Sequence, residues 1–155
     1  SSNILEHQKR ASEKRDPAVI DALHAIKALA HNMRSFLELG DLDGFGQLLD
    51  ESWHEKKKLA PNVSSSGIDR WYALARQHGA VGGKVTGAGG GGFLMLYCPA
   101  DRQAAVTQAL EADGLVRMNF HFDFQGATVL LNTLSRTNGV QAQPSWATAR
   151  IAALR

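Results

Sequence analysis

An α+β fold is predicted, with helices filling the first half of the chain and a small, mainly antiparallel sheet the second. Two observations carry this. Up to Gly79 the apolar residues recur at spacings of three and four, the period of a helix packed on one side. From Val81 onward they fall into short runs and alternations bounded by Gly and Pro, as strands do. Helices grouped ahead of strands point to α+β rather than to a parallel sheet with alternating helices.

Ile4 to Arg15 reads as a helix whose partner face the sequence does not identify. Asp16-Pro17 then starts a long helix. The carboxylate accepts from the free N–H groups of a first turn, and proline fits that turn because no donor is needed there. Val19, Leu23, Ile26, Ala30, Met33 and Leu37 form its apolar stripe, and Gly40 ends it. Asp41 caps the next helix, which turns Leu42, Phe45, Leu49 and Trp53 inward, runs into Lys56-Lys57-Lys58 and stops before Pro61. Asn62 to Gly67 is a polar loop. Ile68, Trp71, Tyr72 and Ala75 mark a further helix, closed by Gly79.

Val81 to Val85 reads as a short strand and Phe93 to Cys98 as a second. Pro99 ends it, and Asp101 is expected to cap a helix carrying Val106, Ala109 and Leu110, closed by Gly114. Leu115 to Met118 is expected to begin a third strand. Phe120, Phe122 and Phe124 alternate with polar residues, Gln125-Gly126 turns, and Ala127 to Leu131 returns as a last strand. The domain is therefore expected to span 1–131. The polar stretch 132–155 is expected to be a tail, either disordered or carrying a short helix over Trp146 to Leu154.

A 155-residue chain with 44% hydrophobic and 21% charged residues is long enough for one packed core and has the balance of a globular domain. No stretch approaches the roughly 18–20 apolar residues of a membrane-spanning helix. The start, Ser1-Ser2-Asn3-Ile4, is neither an initiator methionine nor a signal peptide, so a processed product or excised piece is expected. The lone Cys98 cannot form an internal disulfide and suits a reducing cytoplasm. A net charge of +2 is too small to imply nucleic acid. The Phe120–Phe124 alternation has no interleaved Arg or Lys, so its rings are expected on the sheet's core face rather than against bases. Neither nucleic acid nor membrane is expected as a partner. His54-Glu55 lacks the second histidine of a zinc-protease helix, and His24 and His31 read as surface residues, so no metal site is expected. Trp53, Trp71 and Cys98 read as core.

Between the first two strands lies Thr86-Gly87-Ala88-Gly89-Gly90-Gly91-Gly92. Glycines admit positive φ and close approach of a ligand, and successive inward N–H groups make a concave site for an anion such as phosphate. The string matches G-x-G-x-x-G at Gly87, Gly89 and Gly92, but a dinucleotide fingerprint must open a helix, and Phe93 to Tyr97 reads as a strand. No Lys-Ser/Thr pair follows, so it is not a Walker A loop either. Two readings stand side by side: a phosphate cradle, or a glycine hairpin packed on a neighbouring backbone. Lys56 to Lys58 has two readings as well, a solvated helix end or a contact to an anionic substrate.

Lys84-Val85-Thr86-Gly87-Ala88-Gly89-Gly90-Gly91-Gly92-Phe93 resembles the third conserved motif of GHMP kinases, the superfamily of galactokinase, homoserine kinase, mevalonate kinase and phosphomevalonate kinase. Gly40 to Gly46, Ser52 to Leu59, Ile68-Asp69, Gly79 to Lys84 and Phe120 to Gly126 resemble the heptose 7-phosphate kinase branch, and the resemblance covers about Ser1 to Leu131. It implies the ferredoxin-like C-terminal fold of that superfamily. It also implies transfer of the ATP γ-phosphoryl, with Mg²⁺, to the anomeric hydroxyl of a heptose 7-phosphate, with a fucokinase-like or galactokinase-like branch or a free-standing ligand-binding domain as alternatives. Thr86, Gly87, Ala88, Gly89, Gly90 and Gly91 inherit a place beside the nucleotide phosphates, and Lys56 and Lys57 a place near an anionic sugar phosphate. The superfamily's P-x-x-x-G-L-G-S-S-A-like loop, its catalytic Asp and its Mg²⁺ residues belong to an N-terminal domain, and no such string occurs here. ATP and Mg²⁺ are therefore expected to act through that domain as partner. The chain alone is expected to be inactive and prone to assemble with copies of itself.

Overall fold

The computed structural model describes residues 2–121 and Gly126. The chain divides into two units, Ser1–Met118 and Asn119–Arg155. The first holds every element described: helices α1 (Ser2–Glu13), α2 (Pro17–Leu39), α3 (Leu42–Lys57) and α4 (Ser66–Gln77), strands β1 (Gly82–Val85) and β2 (Leu94–Tyr97), and helix α5 (Gln103–Ala112). Four helices precede a small antiparallel sheet in which Gly82 faces Tyr97 and Val85 faces Leu94. This is the α+β order expected. Of the second unit only Asn119, Phe120, His121 and Gly126 are described. The expected strand Ala127–Leu131, the domain end at Leu131, Phe122, Phe124 and the tail 132–155 lie outside the described residues.

Local chemistry sets the helix ends. Asp16 accepts from the N–H groups of Ala18 and Val19 with Pro17 in the first turn, and Gly40 closes α2 at φ 73°. Asp41 accepts from Gly44 N at 2.8 Å to start α3, and Ser65 accepts from Ile68 N at 3.3 Å to start α4. Asp101 does not cap α5. Arg102 holds the cap position without a side-chain bond, and the Asp101 carboxylate lies 3.3 Å from the Arg102 guanidinium instead.

Two apolar faces differ from the expected ones. On α2 the inward residues are Val19, Ala22, Ile26, Leu29, Met33 and Phe36, while Leu23, Ala30 and Leu37 face out. Both faces share the Val19–Ile26–Met33 line, and the packed side is the flank that lies three residues on (Ala22, Leu29, Phe36) rather than four. On α3 Leu42 is exposed at the first turn, and the inner face is Gly44, Gly46, Leu49, Ser52 and Trp53. Leu115 to Met118 forms no strand: Val116 and Met118 are exposed, and among the described residues this stretch pairs with no strand. Phe120 is likewise exposed and outside any strand, not on a sheet's core face.

Ile4, Trp53, Ala60, Val63, Ile68, Tyr72 and Val85 form the central core, which draws on α1, α3, α4, β1 and the loop after α3. The face of α1 thus has its partner: Ile4 enters this core, and Ala11 packs against Val19, Ala22 and Leu59. Ala75, Ala80, Val106 and Leu110 seat α5 on α4. Where Gly46 of α3 meets Gly82 of β1 no side chain intervenes. A Cβ on Gly82 would overlap the Gly46 carbonyl oxygen, and one on Gly46 would overlap the Tyr97 ring. Backbone therefore touches backbone there, which brings the hairpin close against α3.

Candidate functional site

The glycine loop joins β1 to β2 directly, with Thr86 N donating to Phe93 O at 2.9 Å at its neck. Its hydroxyl reaches the same carbonyl at 3.3 Å. Gly87, Gly89, Gly90, Gly91 and Gly92 all have positive φ, from 73° to 156°, a conformation side chains resist. The two readings of the loop divide along it. Gly89 and Gly90 press on neighbours: a Cβ on Gly89 would lie 2.7 Å from Val63 O, and one on Gly90 would lie 2.6 Å from the Ile4 side chain. Gly90 N also donates to Val63 O at 2.8 Å. These two glycines anchor the loop to the core. Gly87 and Gly91 meet nothing within 4 Å. Among the described residues the N–H groups of Gly87, Ala88, Gly89, Gly91 and Gly92 have no acceptor. An open rim of donors thus stands on a packed base.

Lys56, in the last turn of α3, reaches this loop. Its ammonium donates to Val85 O at 3.0 Å and to Gly87 O at 2.5 Å. Burial, and after it the nearby Lys84 charge, hold that ammonium below the ordinary lysine value. Lys57 turns elsewhere, 3.7 Å from Asp69, and Lys58 pairs with Glu55 at 2.6 Å. Both Lys56 and Lys57 carry their ammonium 5.9 Å from the centre of the Trp53 ring, which is fully buried. The lysine cluster therefore does not act as one patch. Lys84, beside the loop in sequence, joins Lys56 as a second cation there.

Beneath β1 the Tyr72 hydroxyl donates to the Asp50 carboxylate, joining α4 to α3. Burial first, and Asp50 second, raise the Tyr72 phenol well above the ordinary tyrosine value. Arg76 donates to Ala80 O at 2.9 Å and also to Val81 O, fixing the entry to β1. Sequence spacing missed the Asp50–Tyr72 pair because its members are 22 residues apart. The glycines Gly44, Gly46 and Gly82 carried a signal that went unused: two glycines inside a helix need a reason, and close approach of a strand is one. Cys98 lies just past β2 rather than in it, half-buried, with its thiol 3.6 Å from Gly79 O. Burial, then the Asp101 charge, push that thiol above its ordinary value.

Among the described residues no group of three or more His, Cys, Asp or Glu side chains converges as metal ligands. None of the described helices is long and apolar enough to cross a membrane. What the site offers is therefore backbone donors and two ammonium groups, a setting for negative charge.

The family described as GHMP kinases C terminal matches residues 25–114. A D-glycero-alpha-D-manno-heptose 7-phosphate kinase of Campylobacter jejuni is 32% identical over 126 residues, 81% of this chain and 37% of that enzyme. A galactokinase of Enterococcus faecalis is 31% identical over 118 residues, 74% of this chain and 30% of its own length. The crystal structure of L. major mevalonate kinase in complex with R-mevalonate superposes with a TM-score of 0.64 at 21% identity, over 72% of this chain and 34% of that one, a likeness of fold. The chain spans 30% and 37% of the two curated relatives.

Proposed function

Since the chain belongs to the GHMP kinase C-terminal family, we propose that it is the C-terminal part of an ATP-dependent small-molecule kinase whose glycine loop borders the transferring phosphoryl group. The observation that supports this reading is the loop's open rim: N–H groups at Gly87, Ala88 and Gly91 with no acceptor among the described residues, and the Lys56 ammonium beside them. Phosphoryl transfer needs positioning and charge stabilisation more than covalent chemistry from the protein, and backbone donors with nearby cations supply both. Thr86 holds the neck of the loop, and Gly89 and Gly90 hold its base against Val63 and Ile4. The ATP-binding loop, the catalytic carboxylate and Mg²⁺ belong in this reading to an N-terminal domain.

The acceptor is a sugar or sugar phosphate. Heptose 7-phosphate is the finer reading, supported by the breadth of the Campylobacter jejuni match and by the Ser52-to-Leu59 segment. In this reading Lys57, 3.7 Å from Asp69 in the free chain, exchanges that carboxylate for an anionic acceptor. A galactokinase-like or fucokinase-like branch is the second reading, favoured by a galactokinase identity of 31% against 32% for the heptose enzyme. The test is ADP release by a protein carrying both domains, with Mg²⁺ and ATP, against heptose 7-phosphate, galactose, fucose and mevalonate. Preference for heptose 7-phosphate is expected. Preference for galactose or fucose would sink the finer reading alone, and no turnover with any acceptor would sink the kinase reading.

A further inference from the structure

We propose that Lys56 is a positioning residue of the glycine loop, fixing the peptide between Gly87 and Ala88 so that the Ala88 N–H is presented to an anion. This rests on the reading of the loop as a phosphate-side element. The ammonium is held by the carbonyls of Val85 and Gly87, which flank Thr86 where the loop leaves β1, from a helix 29 and 31 residues away in sequence. In a trans peptide the C=O and the following N–H point in opposite directions, and no described peptide is cis. Drawing the Val85 carbonyl toward Lys56 therefore turns the Thr86 N–H the other way, where it meets Phe93 O at 2.9 Å. Drawing in the Gly87 carbonyl likewise turns out the Ala88 N–H, which has no acceptor among the described residues.

The tether is selective. Lys57 is drawn to Asp69 and Lys58 to Glu55, so of the three adjacent lysines only Lys56 addresses the loop. The fully buried Trp53 ring beneath its stem limits where the ammonium can swing. Gly87 itself, at φ 73° and with open space around it, has no packing of its own to set the orientation of the peptide that follows. Two of the three ammonium protons are committed to carbonyls, so the main effect of Lys56 is on loop geometry, whereas a lysine that only adds charge would leave that geometry alone.

Nuclear magnetic resonance on the isotope-labelled full chain, with tripolyphosphate as the probe, separates these roles. In the wild type, tripolyphosphate should shift the Ala88 amide. Lys56→Met should displace the Gly87 carbonyl and Ala88 amide signals before any ligand is added and weaken binding about tenfold, the scale of one charge-assisted bond. Lys56→Arg, which keeps charge and donors, should recover part of both. Lys84→Met should weaken binding while leaving the ligand-free Ala88 signal in place. A folded Lys56→Met chain with wild-type Gly87 and Ala88 signals overturns the proposal. Should that variant not fold, the wild type decides: a Lys56 ammonium signal protected from exchange at low temperature supports the tether, and its absence overturns it. A wild type that ignores tripolyphosphate while Lys56→Met still displaces Ala88 would remove the phosphate reading and leave Lys56 as the residue that sets the loop.

Discussion

Glycines in one run do different work, and single methyl groups should tell them apart. Gly87→Ala and Gly89→Ala both place a side chain at positive φ, a cost of about 1–2 kcal/mol each. Only at Gly89 does the added carbon also press on the Val63 backbone, at 2.7 and 3.0 Å, so overpacking should add about 1–3 kcal/mol there. Thermal melts are expected to place Gly89→Ala well below Gly87→Ala. In a kinase carrying both domains the order reverses for turnover: folded Gly87→Ala should lose more of kcat/KM than its melting point suggests. Tyr72 offers a second residue-scale test. Its raised value means that the folded state favours the protonated phenol. That contribution is whole below about pH 10, the ordinary tyrosine value, and fades as pH climbs through the higher folded value. Tyr72→Phe should therefore lower stability at neutral pH and flatten the alkaline decline, which denaturation midpoints across pH will read.

Elements were legible from the sequence where their causes are local. Asp16, Gly40, Asp41 and Gly79 act within a turn of themselves, and the ends of α2, α3 and α4 fall where those residues put them. Asp16→Ala should cost about 1 kcal/mol, read as a lower denaturation midpoint, because Ala18 and Val19 lose their acceptor. Faces were less legible than ends. Val19, Ile26 and Met33 turn inward as expected, while Leu23, Ala30 and Leu37 do not, because the neighbours that choose a face come from elsewhere in the chain. The loop's place between two strands was readable, and its split into a packed base and an open rim was not, since Val63 and Ile4 are distant in sequence. The α3–β1 contact was invisible for the same reason. Gly82→Ala should cost more than Asp16→Ala, at least ~2 kcal/mol, since neither backbone can retreat without parting helix from hairpin.

Across the whole molecule, apolar side chains remain on the outside: Leu37, Leu39 and Leu42 cluster in sequence at the α2–α3 corner, with Leu39 81% exposed, and Phe93 stands at the loop's neck, 58% exposed. Such surface favours association. Light scattering on the isolated chain at high concentration should find a dimer or larger species, and a strict monomer would count against an adhesive surface. The isolated chain should also release no ADP from ATP with any of the four acceptors. One further property follows from the seat of Cys98. It is the sole cysteine, its proton is retained at neutral pH, and its sulfur faces the carbonyl that ends the turn after α4. A thiol reagent should therefore modify it more slowly than a free cysteine at neutral pH, because little thiolate is present. With a single sulfur to count, mass spectrometry reads that rate with no label introduced.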